Sequence, residues 1–204
     1  MTRPEWDDHP AWSPKGQYIA LSTTGEMDGV WHTQIHKVDL AGNLSRLTFA
    51  RSEERYPSWS PDGAWIAFDS ERDGNREIYK MGADGSNLAR LTDDGAFDEQ
   101  AAWWPDDWIA FVRKTVDTDG DGRIHRNDFG DIWLMNSDGS NAHSILACDC
   151  AVDPRWSPDG QWIVYARGGG NKTHGSTLWA LRLSDGHQVQ LTEGPWDWRP
   201  DWSW

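Results

Sequence analysis

The chain has 204 residues and carries 19 Lys and Arg against 33 Asp and Glu, a formal net charge of −14. That length allows one domain with a real core. The acidic balance excludes a binder of nucleic-acid phosphates, which needs surplus cations, and disfavours an anionic membrane surface for the same reason. No stretch approaches 18 consecutive apolar residues, so no helical membrane insertion is expected, and Met1-Thr2-Arg3-Pro4-Glu5-Trp6 has no apolar run of the secretory kind.

Sixteen residues are Trp, a density that points to periodic aromatic motifs in an all-β repeat fold. The first motif is Ala11-Trp12-Ser13-Pro14-Lys15-Gly16, followed by a third strand at Gln34–Val38, a Gly turn at Ala41-Gly42 and a closing Leu47-Thr48. The second is Ser58-Trp59-Ser60-Pro61-Asp62-Gly63, with strands at Trp65–Phe68 and Glu77–Met81, a turn at Asp84-Gly85 and a close at Leu91-Thr92. The third copy, Ala102-Trp103-Trp104-Pro105-Asp106-Asp107, is one residue short; it leads to Trp108–Val112, Asp131–Met135, Asp138-Gly139 and Ile145-Leu146. The fourth starts at Arg155-Trp156-Ser157-Pro158-Asp159-Gly160 and runs through Trp162–Tyr165, Thr177–Leu181, Asp185-Gly186 and Leu191-Thr192. Asp201-Trp202-Ser203-Trp204 opens a fifth.

Each copy reads as four short antiparallel strands. Pro fixes the first central φ of the turn after Trp-Ser, and Gly accepts a positive one. No segment keeps a 3.6-residue apolar period, so helix should be nearly absent. The lead Trp residues at 12, 59, 103, 156 and 202 are about 45 residues apart, the period of a propeller blade. The expected architecture is an all-β propeller of four complete blades, at about 7–53, 54–97, 98–150 and 151–196, plus an extra inner strand at 197–204. Two segments then compete for one innermost position, because Trp6 and Asp7 precede Trp12 as Trp196 and Asp197 precede Trp202. An extra strand that completes a partner's sheet favours a homo-oligomer.

Within the third copy, Asp117-Thr118-Asp119-Gly120-Asp121-Gly122-Arg123-Ile124-His125-Arg126-Asn127-Asp128 has the spacing of a calcium loop. Asp117, Asp119, Asp121 and Asp128 would supply carboxylates, Arg123 its main-chain carbonyl, and His125 a contact through water. Four carboxylates brought together repel by roughly 1–4 kcal/mol per close pair, a cost that calcium removes. Flanked by strands, the loop would act as a clip, not as a sensor that opens a helix pair. Cys148 and Cys150 lack the second pair a zinc site would want, and so short a span reads as two thiols rather than a disulfide framework.

The motif set Trp-Ser-Pro-Asp-Gly, Ile-Ala-Phe, Ile-Tyr or Ile-Trp, Asp-Gly and Leu-Thr resembles the blade of TolB-type, WD-repeat-like β-propellers over nearly the whole chain, departing at Trp104. The resemblance implies a propeller whose Trp-Ser strand lies innermost, and a periplasmic or secreted setting.

Most Trp residues, Trp6, Trp12 and Trp196 among them, are expected to pack between blades. Candidate ligand residues are those that vary between repeats. Three places before each motif Trp stand His9, Tyr56, Gln100, Asp153 and Arg199; five places before stand Asp7, Glu54, Asp98, Ala151 and Asp197. Together they would ring a channel mouth as an acidic, polar funnel. Trp104 and Trp198, which fit no repeat slot, suit stacking on a sugar or a protein. His36 holds a third-strand aromatic slot and reads as packing. No nucleophile elbow, zinc-protease helix, phosphate loop or dinucleotide fingerprint is present. The expected function is therefore a non-catalytic, calcium-stabilised scaffold that binds a protein or a glycan. The alternatives are a carbohydrate-active propeller similar to the polysaccharide lyases, and an excised or engineered fragment that self-assembles.

Overall fold

The computed structural model describes residues 6–104, 106–168, 175–194 and 196–202, and every regular element among them is a strand. Pro105 and the Ser203-Trp204 end of the expected fifth inner strand lie outside these residues. The chain forms two compact units, residues 1–95 and 96–204.

The first unit holds two four-stranded antiparallel sheets. Repeat 1 is β1 (Trp6–Trp12), β2 (Tyr18–Met27), β3 (Val30–Asp39) and β4 (Leu44–Arg46); repeat 2 is β5 (Glu54–Trp59), β6 (Trp65–Ser70), β7 (Glu77–Gly82) and β8 (Ala89–Arg90). In both sheets the strands lie in sequence order. Ala20, Ile35 and Leu47 of repeat 1 pack against Trp59, Ile66, Phe68, Tyr79 and Met81 of repeat 2.

The Trp-Ser-Pro-x-Gly motif makes its turn through the serine. Ser13, Ser60 and Ser157 are buried, and their hydroxyl oxygens accept the N–H of Tyr18, Trp65 and Trp162, where the next strand begins. Ser60 and Ser157 also donate to Asp62 and Asp159, 2.6 Å away, which holds both carboxyls below their usual range. Gly63 and Gly160 close the turns at φ 74° and 68°, where a side chain would be strained. In the shortened third copy Asp107 takes the left-handed position at φ 66°. The closing Leu-Thr works similarly: Thr48, Thr92 and Thr192 accept the N–H of Ile35, Ile78 and Leu178 on the third strand, which ends the fourth strand.

Repeat 3 has no such threonine after Leu146, and there the strand runs on. The second unit is one seven-stranded antiparallel sheet made of β9 (Phe97–Trp104), β10 (Trp108–Lys114), β11 (Gly130–Asn136), β12 (His143–Trp156), β13 (Trp162–Arg167), β14 (Thr177–Arg182) and β15 (Gln188–Gln190). Two separate four-stranded blades were expected here. Instead β12 is the fourth strand of repeat 3 at one end, where Leu146 faces Ile132, and the first strand of repeat 4 at the other, where Trp156 faces Ile163.

Between the two halves β12 bulges, and the bulge corrects the reading of the two cysteines as thiols: Cys148 and Cys150 form a disulfide. Asp149 stands at φ 44°, and the Asp131 carboxylate accepts the N–H groups of Cys148 and Asp149 at 2.6 and 2.9 Å. The chain is thereby folded so that both sulfurs meet, which spacing in an ordinary strand would not allow.

A second correction concerns the tryptophans. Trp59 and Trp156 cover the repeat before their own and donate their indole N–H to the carbonyls of Ala11 and Ala102, at 3.1 and 2.9 Å. Trp6, Trp12 and Trp196, however, are 69%, 61% and 61% exposed. Within the first unit no repeat stands in front of β1 for Trp6 and Trp12 to cover.

Trp59→Phe removes the buried indole hydrogen bond and should lower stability by about 1–2 kcal/mol. Trp12→Phe, on an exposed ring, should change it by less than about 0.5 kcal/mol. Urea titrations of the two variants measure the difference.

Candidate functional site

The insertion between β10 and β11 folds its alternate acidic side chains inward. Asp117 accepts the N–H groups of Gly120 and Gly122 at 2.6 and 2.7 Å, and Asp121 accepts that of Arg123 at 3.0 Å. Gly120 and Gly122 take φ of 77° and 88°, which gives the sharp turn that calcium loops place at this spacing. One oxygen each from Asp117, Asp119 and Asp128 lie within 4.8 Å of one another, and so do an oxygen each from Asp119 and Asp121 and a ring nitrogen of His125.

Asp128 is the buried member. Its oxygens accept the N–H of Thr118, Asp119 and His125 and the hydroxyl of Thr118. Burial acts to raise its pKa, but these donors outweigh burial and the carboxyl lies below its usual range. His125 Nε2 is 2.7 Å from Asp121; that hydrogen bond raises the imidazole and lowers the carboxyl. Arg123 is exposed at the seventh position, and Ile124 at the eighth is 40% exposed. Four carboxylates are hard donors, and the imidazole is a borderline one. The set fits an oxygen-seeking divalent cation such as calcium.

The loop is fastened at its far end. Lys114, fully buried at the end of β10, donates to Glu99 at 2.5 Å and to the Arg126 carbonyl at 3.0 Å. Phe129 stacks on Trp198, with centroids 6.1 Å apart. It also fills the space over Gly168, where a Cβ would come within 2.1 Å of the ring.

The five residues three places before the motif Trp share one unusual backbone state. His9, Tyr56, Gln100, Asp153 and Arg199 take φ of 51°, 53°, 62°, 54° and 54°. In β1, β5, β9 and β12 the ladder loses register at the same point, so each inner strand carries a bulge there. A side chain at such a φ costs about 1 kcal/mol or more, and it persists only where surrounding structure holds it. A bulge re-aims the side chain it carries.

In the first unit the His9 ring lies on that of Tyr56, centroids 3.9 Å apart. In the second, Gln100 accepts the Asp153 N–H at 2.7 Å, and both residues are buried. Burial pushes the Asp153 carboxyl above its usual range; Glu99 adds to this, and Arg155, Arg199 and Lys114 oppose it. Arg199 is exposed.

Three of the acids five places before the motif Trp are engaged within their own repeats. Glu54 and Asp98 are fully buried and paired, Glu54 with Arg72 and Asp98 with Arg113 at 2.7 and 2.8 Å. Asp7 accepts the Thr23 hydroxyl at 2.9 Å. Sequence reasoning missed the buried Lys114–Glu99 pair; the signal was Arg113-Lys114 at the end of an apolar strand, with Asp98-Glu99 on the strand it pairs with, Arg113 facing Asp98 and Lys114 facing Phe97. The two leftover tryptophans have packing partners. Trp104 stacks on Trp156 at 5.5 Å and lies over Gly160, where a Cβ would be 2.5 Å from its ring. Trp198 stays 44% exposed beside Phe129.

Residues 4–129 match the TolB beta propeller domain family. The uncharacterized protein Atu1656 of Agrobacterium fabrum is 32% identical over 167 residues, covering 76% of this chain and 53% of that protein. The chain thus spans about half the length of this relative. Among solved structures, TolB of Acinetobacter baumannii superimposes with a TM-score of 0.70 at 22% identity, over 92% of this chain and 44% of that one. The acylaminoacyl peptidase of Pyrococcus horikoshii does so with a TM-score of 0.62 at 15% identity, over 94% of this chain and 33% of that one. At these identities the likeness is one of fold.

An acid whose pKa is raised by folding holds its proton more tightly when folded, so stability falls as pH rises from the unfolded value of 3.8 through the folded one. Asp153→Asn, which also suits a left-handed φ, should therefore raise Tm at pH 7. The gain should close as pH falls below 3.8, which thermal melts across that range would follow.

Proposed function

The chain belongs to the TolB β-propeller family, and from that membership we propose that it is a non-catalytic scaffold, clipped by calcium, that binds a protein or a glycan through the residues at its inner-strand bulges. The observation that carries this reading is the recurrence of one strained backbone state under five different side chains: His9, Tyr56, Gln100, Asp153 and Arg199. A scaffold repeats its packing residues. It varies the ones that meet a ligand. The repeats correspond to four blades, with 197–204 as an extra inner strand.

In the loop, Asp117, Asp119, Asp121 and Asp128 would offer carboxylate oxygens, Arg123 its main-chain oxygen, and His125 a contact through water. The cation's charge would offset the mutual repulsion of the acids. Because the loop is fastened to Lys114 and so to Glu99, next to Gln100, calcium would also steady one of the ligand-facing bulges. A periplasmic or secreted setting suits both calcium and the Cys148–Cys150 disulfide, since disulfides persist in oxidising compartments.

Calcium should raise the Tm and EDTA should lower it, with Asp119→Ala abolishing the response. A melt indifferent to both would end the metal assignment. For the ligand, peptide and glycan arrays probed with the parent chain should give binders that Gln100→Ala and Arg199→Ala each weaken by about tenfold. Unsaturated products from a uronate polymer incubated with the chain would instead make it a lyase.

A further inference from the structure

The Cys148–Cys150 disulfide adds little to the fold that its surroundings do not already supply. It joins residues only two places apart, and the stabilisation a cross-link draws from restricting the unfolded chain shrinks with the length of the loop it closes. The bulge around it is held by other bonds. Asp131 accepts the N–H groups of Cys148 and Asp149 at 2.6 and 2.9 Å, and the Cys150 carbonyl accepts the Gly168 N–H at 2.9 Å. On either side the ladder resumes, with Leu146 facing Ile132 and Ala151 facing both Gly130 and Arg167. Bulges in this fold do not call for a disulfide: β1, β5 and β9 bulge without any cysteine.

The two sulfurs are unequally placed. Ala147 and Asp149 are exposed, and Cys148 between them is half-buried. Cys150 is only 8% exposed and opens the buried run Ala151-Val152-Asp153. A thiolate that attacks a disulfide bonds to one sulfur and expels the other, so access decides which cysteine is attacked. Here access favours Cys148, with Cys150 as the leaving sulfur.

The backbone between them adds a reason for the bond to open. Asp149, at φ 44°, sits in the left-handed region, which is strained for a residue with a side chain. The disulfide and Asp131 hold it there together, so breaking the sulfur–sulfur bond lifts one of two constraints. None of the ladder pairings of β12 passes through the sulfurs, and the strand stays whole when they part.

We propose that Cys148–Cys150 is a thiol–disulfide exchange site, reduced in the folded chain by a dithiol that attacks Cys148. The first thiolate of the dithiol bonds to Cys148 Sγ as the Cys148–Cys150 bond breaks, and Cys150 leaves as a thiolate that takes a proton from water. The second thiolate of the dithiol then attacks the first sulfur, closing its own disulfide and releasing Cys148, which is protonated in turn. The dithiol is oxidised by two electrons and the two cysteines are reduced. A dithiol is the fitting partner because it finishes the exchange from within the mixed disulfide, where a monothiol needs a second encounter. The site is independent of calcium and of what the inner-strand bulges bind.

Excess dithiothreitol without denaturant should reduce the whole chain within minutes, read by mass as two alkylated cysteines. Cysteines that alkylate only after urea is added overturn the proposal. The reduced chain and the Cys148→Ser/Cys150→Ser double variant should keep the far-UV spectrum and lose less than about 6 °C of Tm. A parent that unfolds on reduction makes the disulfide a structural staple and also overturns it. For the point of entry, Cys150→Ser, which leaves Cys148, should react with an aromatic disulfide reagent at least about tenfold faster than Cys148→Ser, which leaves Cys150. Equal rates, or a faster Cys150, overturn the assignment of Cys148 as the sulfur attacked.

Discussion

An indole N–H resting on a main-chain carbonyl sets one repeat on the next. Trp59 reaches Ala11 and Trp156 reaches Ala102 with nearly the same length. The ring covers apolar surface that a four-stranded sheet cannot cover alone, while its nitrogen fixes where along the preceding inner strand it must stand. A phenyl ring would supply the burial without the registration. This double duty accounts for Trp, rather than another aromatic, at positions 59 and 156.

The same strand that receives the indole is bent two residues earlier, at a position whose side chain differs from repeat to repeat. Because the bulge recurs, the repeats offer equivalent side-chain positions filled by different residues. In the second unit Asp153 and Gln100 occupy two of them beside the buried Lys114–Glu99 pair. A buried ion pair contributes little net stability but penalises any arrangement that breaks it. Since Lys114 also holds the Arg126 carbonyl, it ties the acidic loop to β9.

Repeat period, turn chemistry and the variable positions were readable in the sequence because each is local: Ser60 and Asp62, or Leu91 and Thr92, act within a few residues of themselves. The loop was readable for the same reason, since its acids and glycines sit in one short run. Pairings across strands were not. Glu54 and Asp98 look like open acid until Arg72, in the turn after β6, and Arg113, facing Asp98 on β10, are brought to them. The disulfide depended on Asp131, a residue 17 places before Cys148, capping a bulge that spacing does not announce. The exposure of Trp12 follows from its neighbourhood rather than its motif, which is the same as that of the buried Trp59.

The shared strand β12 has a consequence for how the molecule comes apart. Repeats 1 and 2 are joined only by side-chain contacts and a connecting segment, so either sheet can open without tearing the ladder of the other. Repeats 3 and 4 have one backbone in common. Amide protons in the ladder of β9 to β15 therefore belong to a single cooperative block in exchange, and the shared strand β12 is no neutral place to cut or circularly permute the domain between these two repeats.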